Sequence, residues 1–277
     1  MKLFIDSAQL DEIQQAYAFG IADGVTTNPS LLKQAVKKLQ DKGVTTTLEN
    51  YLKDILRTAK GTPVSLEVTE HSYEGMVQQA KQLYKLFNPV AQNVYIKIPV
   101  NPSFERKDGR DFDGIRTIKE LSKHNIPVNC TLIFTPEQAL LAAKAGAAIV
   151  SPFAGRIDDY IRARNEIMFD KDDYFPMAGV YDEDSLLDDN GIVSGIDLVE
   201  QIIQIFLNYS IKTEVLAASM RNVRQVREAA IIGAHIATIP FAVIRDLASH
   251  QKTREGMKKF TDDIVPEYVK LTQRKKA

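Results

Sequence analysis

The stretch NVYIKIPV, residues 93–100, carries one lysine, Lys97, inside a run of apolar and β-branched residues. A buried ammonium is costly unless it is paired or gives up its proton. A neutral lysine amine attacks a carbonyl to form a Schiff base, and the iminium then acts as an electron sink. Burial favours that neutral form. Such chemistry needs proton transfers to expel water from the carbinolamine and again to break a carbon–carbon bond. Two carboxylates, Asp6 and Glu67, could divide that work, and the Thr131 hydroxyl could hold the shuttling water. This is the equipment of a lysine-dependent aldolase.

These residues need elements that bring them to one place. Short apolar runs, KLFID, GVTTN, PVSLEV, NVYIKIP, VNCTLIF, AAIVSP, EVLAAS and HIATIP, read as strands. Between most of them lie segments of helical periodicity, such as Leu10, Ile13 and Tyr17, or Met76, Ala80, Leu83 and Phe87. Eight strands each followed by helix is the pattern of a (β/α)8 TIM barrel, an α/β fold. A doubly wound sheet is the rival, but no G-x-G-x-x-G turn follows a strand.

Parity then sorts the side chains. Successive strand residues face opposite ways, so Val94, Ile96 and Ile98 take the helix-facing layer and Tyr95 and Lys97 point into the barrel. Likewise Ser65, Glu67 and Thr69 oppose Leu66 and Val68, Asn129 and Thr131 oppose Cys130 and Leu132, and Ile149 and Ser151 oppose Val150. Asp6 ends the first strand and Asn28 the second. These polar groups converge at the C-terminal mouth, where barrel active sites lie.

Taken singly, each has a plainer explanation. Asp6 or Ser7 could cap the first helix, and Asn28 could be a turn or cap residue before Pro29. Thr131 and Ser151 could be structural hydroxyls, and Glu67 with Lys97 only a buried ion pair. The collective placement is what favours chemistry.

The bulk properties set the frame. The 277 residues are 44% hydrophobic, enough for one large core, and we expect one domain over 1–277. Within it, we expect an expanded loop after the sixth strand, an insertion at 158–194 on the catalytic face, and 250–277 reads as an amphipathic C-terminal helix interrupted near Pro266. With 35 basic against 36 acidic residues, nothing suggests nucleic acid or an anionic membrane as partner. One cysteine, no leader-like start and no long apolar run point to a cytoplasmic protein. One cysteine and four scattered histidines suggest no metal site, and no cofactor is implied.

In order along the chain, FID, GVTTNPSLL, VSLEV, YIKIP, NCTLIF, SPFAGRID and ASMRN resemble the transaldolase family, from residue 1 through residue 240. The match is to its compact members. The resemblance implies that Lys97 is the Schiff-base lysine, Asp6 the acid/base at the bond-breaking hydroxyl, and Glu67 and Thr131 the groups handling water. It implies that Asn28, Asn129 and Ser151 bind the dihydroxyacetone portion, and that Arg156, Ser219 and Arg221 bind phosphate. The substrates would be a ketose phosphate, such as sedoheptulose 7-phosphate or fructose 6-phosphate, and an aldose phosphate acceptor, with a homo-oligomer expected. Guanidinium forks and a hydroxyl suit phosphate oxygens. Otherwise Arg156 would pair with Asp158 or Asp159, and Arg221 would be a solvated helix arginine.

A fructose-6-phosphate aldolase branch resembles transaldolase but carries glutamine at the Glu67 position and tyrosine at the Phe153 position. Glu67 and Phe153 here favour transaldolase, with Phe153 in the substrate site. Compact members have only a brief connection where this chain has residues 157–191, and the loop after Lys97 is also expanded. A ketose carrying another anion, such as a sulfonate, is therefore an alternative, as is a non-catalytic sugar-phosphate-binding barrel. The long segment, with Tyr160, Tyr174, Phe175 and Tyr181, could fold over the sugar or form a subunit contact.

Overall fold

The computed structural model describes residues 1–105, 108–183 and 185–272. Eight parallel strands close into a barrel: β1 (Lys2–Asp6), β2 (Gly24–Thr26), β3 (Val64–Glu67), β4 (Val94–Pro99), β5 (Val128–Ile133), β6 (Ile149–Pro152), β7 (Glu214–Ala217) and β8 (Ile236–Ile239). Each lies within one of the eight expected stretches. Every strand pairs with its sequence neighbours, and β8 closes onto β1. This is the (β/α)8 barrel.

The helices run in chain order: α1 (Leu10–Ala18), α2 (Pro29–Asp41), α3 (Leu48–Thr58), α4 (Tyr73–Ala91), α5 (Asp113–Lys123), α6 (Pro136–Ala145), α7 (Ala154–Arg164), α8 (Gly195–Asn208), α9 (Val223–Ile231), α10 (Phe241–Leu247), α11 (Gln251–Asp262) and α12 (Pro266–Thr272). Their starts follow local chemistry. Thr135 and Gln138 form a reciprocal cap at α6 with Pro136 in the first turn, and Gly146 at φ 103° ends that helix. The C-terminal expectation holds in outline, because α11 and α12 are separated just before Pro266. Residues 273–277 of that expected helix lie outside the described residues, as do residues 106–107 of the loop after Lys97 and residue 184 of the insertion.

Two apolar layers follow from strand parity. Val94, Ile96 and Ile98 belong to the large cluster between barrel and helices. Phe4, Ile149, Leu216, Ala218 and Ile236 form a separate interior cluster, with Tyr95 and Phe153 packed on it. Fully burying a ring such as Phe4 contributes about 1.5–3 kcal/mol. It also demands Gly24, because a Cβ there would sit 2.6 Å from the Phe4 ring. This apolar plug fills the lower barrel and confines the polar side chains to the upper mouth.

Three expectations need correction. First, β2 stops at Thr26, so Asn28 does not end a strand; it is the N-cap of α2, accepting from the Leu31 amide at 2.9 Å. Pro29 occupies the first turn, where its missing N–H costs nothing. Second, parity fails after Thr131. Between the pairs Cys130–Val150 and Ile133–Pro152, β5 holds one residue more than β6, and Leu132 takes φ 57°. Third, the segment after β6 is not loop from residue 157 onward. Ile157 and Ile161 bury one face of α7, and Asp158 and Arg162 are buried beside them.

Beyond α7 the chain holds a small hairpin (Tyr181–Asp182 with Ser185–Leu186) and buries Phe175, Leu187 and Ile192. Arg162 anchors it, donating to the Asp173 and Tyr174 carbonyls at 3.2 and 2.9 Å and stacking on Phe169 and Phe175. Tyr174 hydrogen-bonds Glu228 of α9. Two of the four aromatic residues expected to cover the sugar or a neighbour thus pack against the protein itself.

Candidate active site

The Lys97 side chain is only 6% exposed, and its Nζ lies 3.3 Å from Glu67 Oε2 and 3.4 Å from the Thr27 carbonyl oxygen. The register explains the pairing. Glu67, Lys97 and Asn129 are successive partners on β3, β4 and β5, so they form one inward row. Phe153 places its ring centroid 5.9 Å from Nζ and packs edge-on against Phe134.

Above this row opens a cavity of about 360 Å³. Asp6, Asn28, Lys97, Ser151, Phe153, Arg156, Ser219 and Arg221 all line it. Glu67, Asn129 and Thr131 stand in the wall behind. Asn129 is fully buried, donating to Ser65 Oγ at 3.1 Å and accepting from Ser151 Oγ at 2.6 Å. That network fixes the Ser151 hydroxyl's direction at the cavity edge. The Thr131 hydroxyl is buried with no hydrogen-bond partner in the protein. Orphaned hydroxyls are uncommon in cores and mark places where water or a ligand is expected.

Asp6 accepts from Thr26 Oγ1 at 2.7 Å, and Thr26 in turn contacts Thr238 Oγ1 at 2.5 Å. Burial raises the Asp6 carboxyl above its ordinary range, and the positive charges of Lys97, Arg221 and Arg156, with the Thr26 hydrogen bond, pull the other way. Asp6 therefore lies within electrostatic reach of both the amine and the arginine end. It is not the α1 cap, whose N-cap is Gln9 with no side-chain bond.

The arginine end is built by three segments. Arg156, on the first turn of α7, stacks its guanidinium 4.9 Å from the Phe153 centroid. Arg221 donates to Asp159 Oδ2 at 2.7 Å, and its buried Nε has no hydrogen-bond partner in the protein. Neither matches its plainer explanation: no ion pair joins Arg156 to Asp158 or Asp159 among the described residues, and Arg221 is paired rather than solvated. Ser219 adopts φ 61°, an uncommon left-handed conformation for a non-glycine residue. Gly155 makes room for this turn, because a Cβ there would lie 2.2 Å from the Ser219 carbonyl oxygen. Lys171, from the long connection, completes this side of the cavity.

Several lining residues went unrecognised in the sequence. Thr26 and Thr238 share parity with Asn28 and Pro240, so extending the alternation to β2 and β8 would have found them. Nothing local marks Lys171. Among the described residues no group of three His, Cys, Asp or Glu is placed to hold a metal ion, and no helix is long and apolar enough to cross a membrane.

A closed parallel barrel with a polar, cation-rimmed cavity at one mouth has the build of a (β/α)8 barrel enzyme. The Transaldolase/Fructose-6-phosphate aldolase family model matches residues 3–276. A probable transaldolase of Thermoplasma acidophilum is 41% identical over 266 residues, covering 95% of each chain. One of Chlorobium phaeobacteroides is 41% identical over 263 residues, covering 95% of this chain and 96% of the relative, and one of Geotalea daltonii is 38% identical over 263 residues, covering 95% and 97%. The chain belongs to the transaldolase/fructose-6-phosphate aldolase family, and it is a transferase of the transaldolase type.

Proposed function

We propose that this enzyme carries a dihydroxyacetone unit on Lys97 from a ketose phosphate, fructose 6-phosphate or sedoheptulose 7-phosphate, to an aldose phosphate. The observation that carries the reading is the Lys97 amine, buried against Glu67 at 3.3 Å and facing a cavity whose rim holds Arg156 and Arg221. Lys97 Nζ attacks the ketose C2 carbonyl. Glu67, with a water held by the unpartnered Thr131 hydroxyl, removes the amine's proton and delivers one to the departing carbinolamine oxygen. Loss of water leaves the iminium.

Asp6 then takes the proton of the C4 hydroxyl, the C3–C4 bond breaks, and its electrons pass into the iminium to give an enamine. Burial suits Asp6 to this task by making its carboxylate a better base. The aldose phosphate leaves, and an acceptor aldehyde enters to reverse the steps. Asn28, Asn129 and Ser151 hold the three-carbon unit meanwhile. Phe153, an apolar ring near Nζ, offers the enamine no proton, which favours transfer over release of free dihydroxyacetone.

The test mixes fructose 6-phosphate with erythrose 4-phosphate and separates the products. Sedoheptulose 7-phosphate formed in step with glyceraldehyde 3-phosphate supports transfer. Free dihydroxyacetone as the main product, with or without acceptor, would instead make the protein an aldolase.

A further inference from the structure

Two buried polar side chains behind the cationic rim have no part in the chemistry above. Asp158 is 2% exposed and Gln225 1% exposed, and neither lines the cavity. Asp158 Oδ1 accepts from the Gly195 amide at 2.7 Å, where the long connection returns into α8. Asp158 Oδ2 accepts from Gln225 Nε2 at 2.6 Å. Gln225 Oε1, at the other end of the same side-chain amide, accepts from the Arg221 backbone N–H at 2.7 Å.

The backbone of the turn that this chain meets is held at its ends, and the Arg221 side chain is tied to Asp159. Ala218 exchanges backbone hydrogen bonds with Pro152 and Ala154, and Asn222 caps α9. Between them Ser219 sits at φ 61°. A strained turn persists only where its surroundings over-determine it. The Gln225 carbonyl oxygen is the acceptor that meets the middle of this turn at Arg221.

We propose that Asp158 and Gln225 are positioning residues that hold Arg221 in its anion-binding place through this chain of buried hydrogen bonds. The inference rests on Arg221 binding the substrate phosphate. Its logic lies in donor direction. A carboxylate only accepts, so it turns the Gln225 amide nitrogen toward itself and the amide oxygen toward Arg221. Replacing Asp158 by asparagine puts an NH₂ where an acceptor is needed. Two donors then face each other, at residues 158 and 225 or, with the asparagine turned, at residue 158 and the Gly195 N–H, or else the glutamine turns and its NH₂ confronts the Arg221 N–H. Replacing Gln225 by glutamate alone sets two carboxylates against each other. Both changes together restore every bond. The introduced asparagine would accept from Gly195 and donate to the introduced glutamate, which would in turn accept from Arg221.

The test is steady-state kinetics with glyceraldehyde as common acceptor, at pH 8, above the value of about 7 to which burial raises the Asp158 carboxyl. The readout is kcat/KM for fructose 6-phosphate divided by kcat/KM for free dihydroxyacetone. Asp158→Asn and Gln225→Glu should each lower this ratio about tenfold, the cost of one buried donor left without its acceptor. The double variant should return to within about threefold of the starting ratio. Should Gln225→Glu not fold, Gln225→Met removes the acceptor without opposing two charges and carries the same expectation.

Arg221→Ala is measured alongside. If it lowers the ratio but the single variants do not, or if the double variant fails to recover, the positioning role is overturned while phosphate binding at Arg221 stands. If Arg221→Ala leaves the ratio where it was, the phosphate reading itself fails and the positioning role falls with it. A merely structural pair would lower the melting temperature without moving the ratio, which also overturns the proposal.

Discussion

Gly155→Ala tests whether close approach between α7 and the Ser219 turn is what shapes the anion end. A Cβ at residue 155 would lie 2.2 Å from the Ser219 carbonyl oxygen and 2.7 Å from Arg221 Nε. Relaxed carbon contacts begin near roughly 3.5 Å, so the two backbones must part by roughly 1 Å. The first clash is with backbone, so no rotamer change relieves it. Overpacking of this kind costs about 1–3 kcal/mol of stability. A shift of ~1 Å in a positioning group can cost about 10² in rate. Arg221 and Ser219 ride on the displaced turn, whereas Lys97 and Glu67 stand on β4 and β3 and do not. The variant should therefore lose about 10²-fold in kcat/KM for fructose 6-phosphate and far less with dihydroxyacetone. Steady-state kinetics on both donors, with a thermal melt to confirm folding, makes the comparison. Equal losses on both donors, or none, would mean that this close approach does not shape the anion end.

The other expectations follow from the same geometry. Asp6→Ala should lower kcat by about 10²–10⁴ while a covalent adduct still forms on incubation with donor, because the residue acts at bond breaking; normal turnover with an earlier melt would make Asp6 structural. Lys171→Ala should raise KM for phosphorylated donors only about two- to fivefold, since exposed charges contribute about 0.2–1 kcal/mol; a hundredfold loss would mean that the side chain closes fully onto the anion. Burial holds the Asp158 carboxyl at about 7 against an ordinary 3.8, partly offset by the Gly195 amide, Arg162 and Gln225. The folded protein thus keeps a proton that the unfolded chain releases, so this stabilisation is complete below pH about 4 and is lost as pH rises through 7. Urea unfolding at pH 4 and pH 8 should show wild type losing on the order of 4 kcal/mol more than Asp158→Asn over that interval; equal losses would contradict it.

Much of the site was legible because strand alternation is a rule with period 2. It put Lys97, Glu67, Asn129 and Ser151 inside the barrel from sequence alone, and the register confirms that they share a wall. The same rule broke at Leu132, where an extra residue takes a left-handed conformation that no local signal announced. It was also carried too far at Asn28, because β2 ends at Thr26 and Asn28 caps the helix that Pro29 opens. The helix α7 was readable in the spacing of Ile157 and Ile161 but was hidden by the acidic residues around it. Long-range pairings were beyond reach. Asp159 meets Arg221 across 62 positions, and Asp158 meets Gln225 across 67. Such contacts depend on how α7 sits against the turn before α9, which local periodicity does not encode.

Borohydride trapping reads the covalent chemistry of Lys97 directly. The protein is incubated with fructose 6-phosphate, reduced, digested and examined by peptide mass spectrometry, with Lys97→Met treated in parallel. A reduced dihydroxyacetone adduct on Lys97, with none in the variant and no turnover by it, is the predicted result. An adduct on another lysine, or near-normal transfer by Lys97→Met, would mean that Lys97 is not the nucleophile.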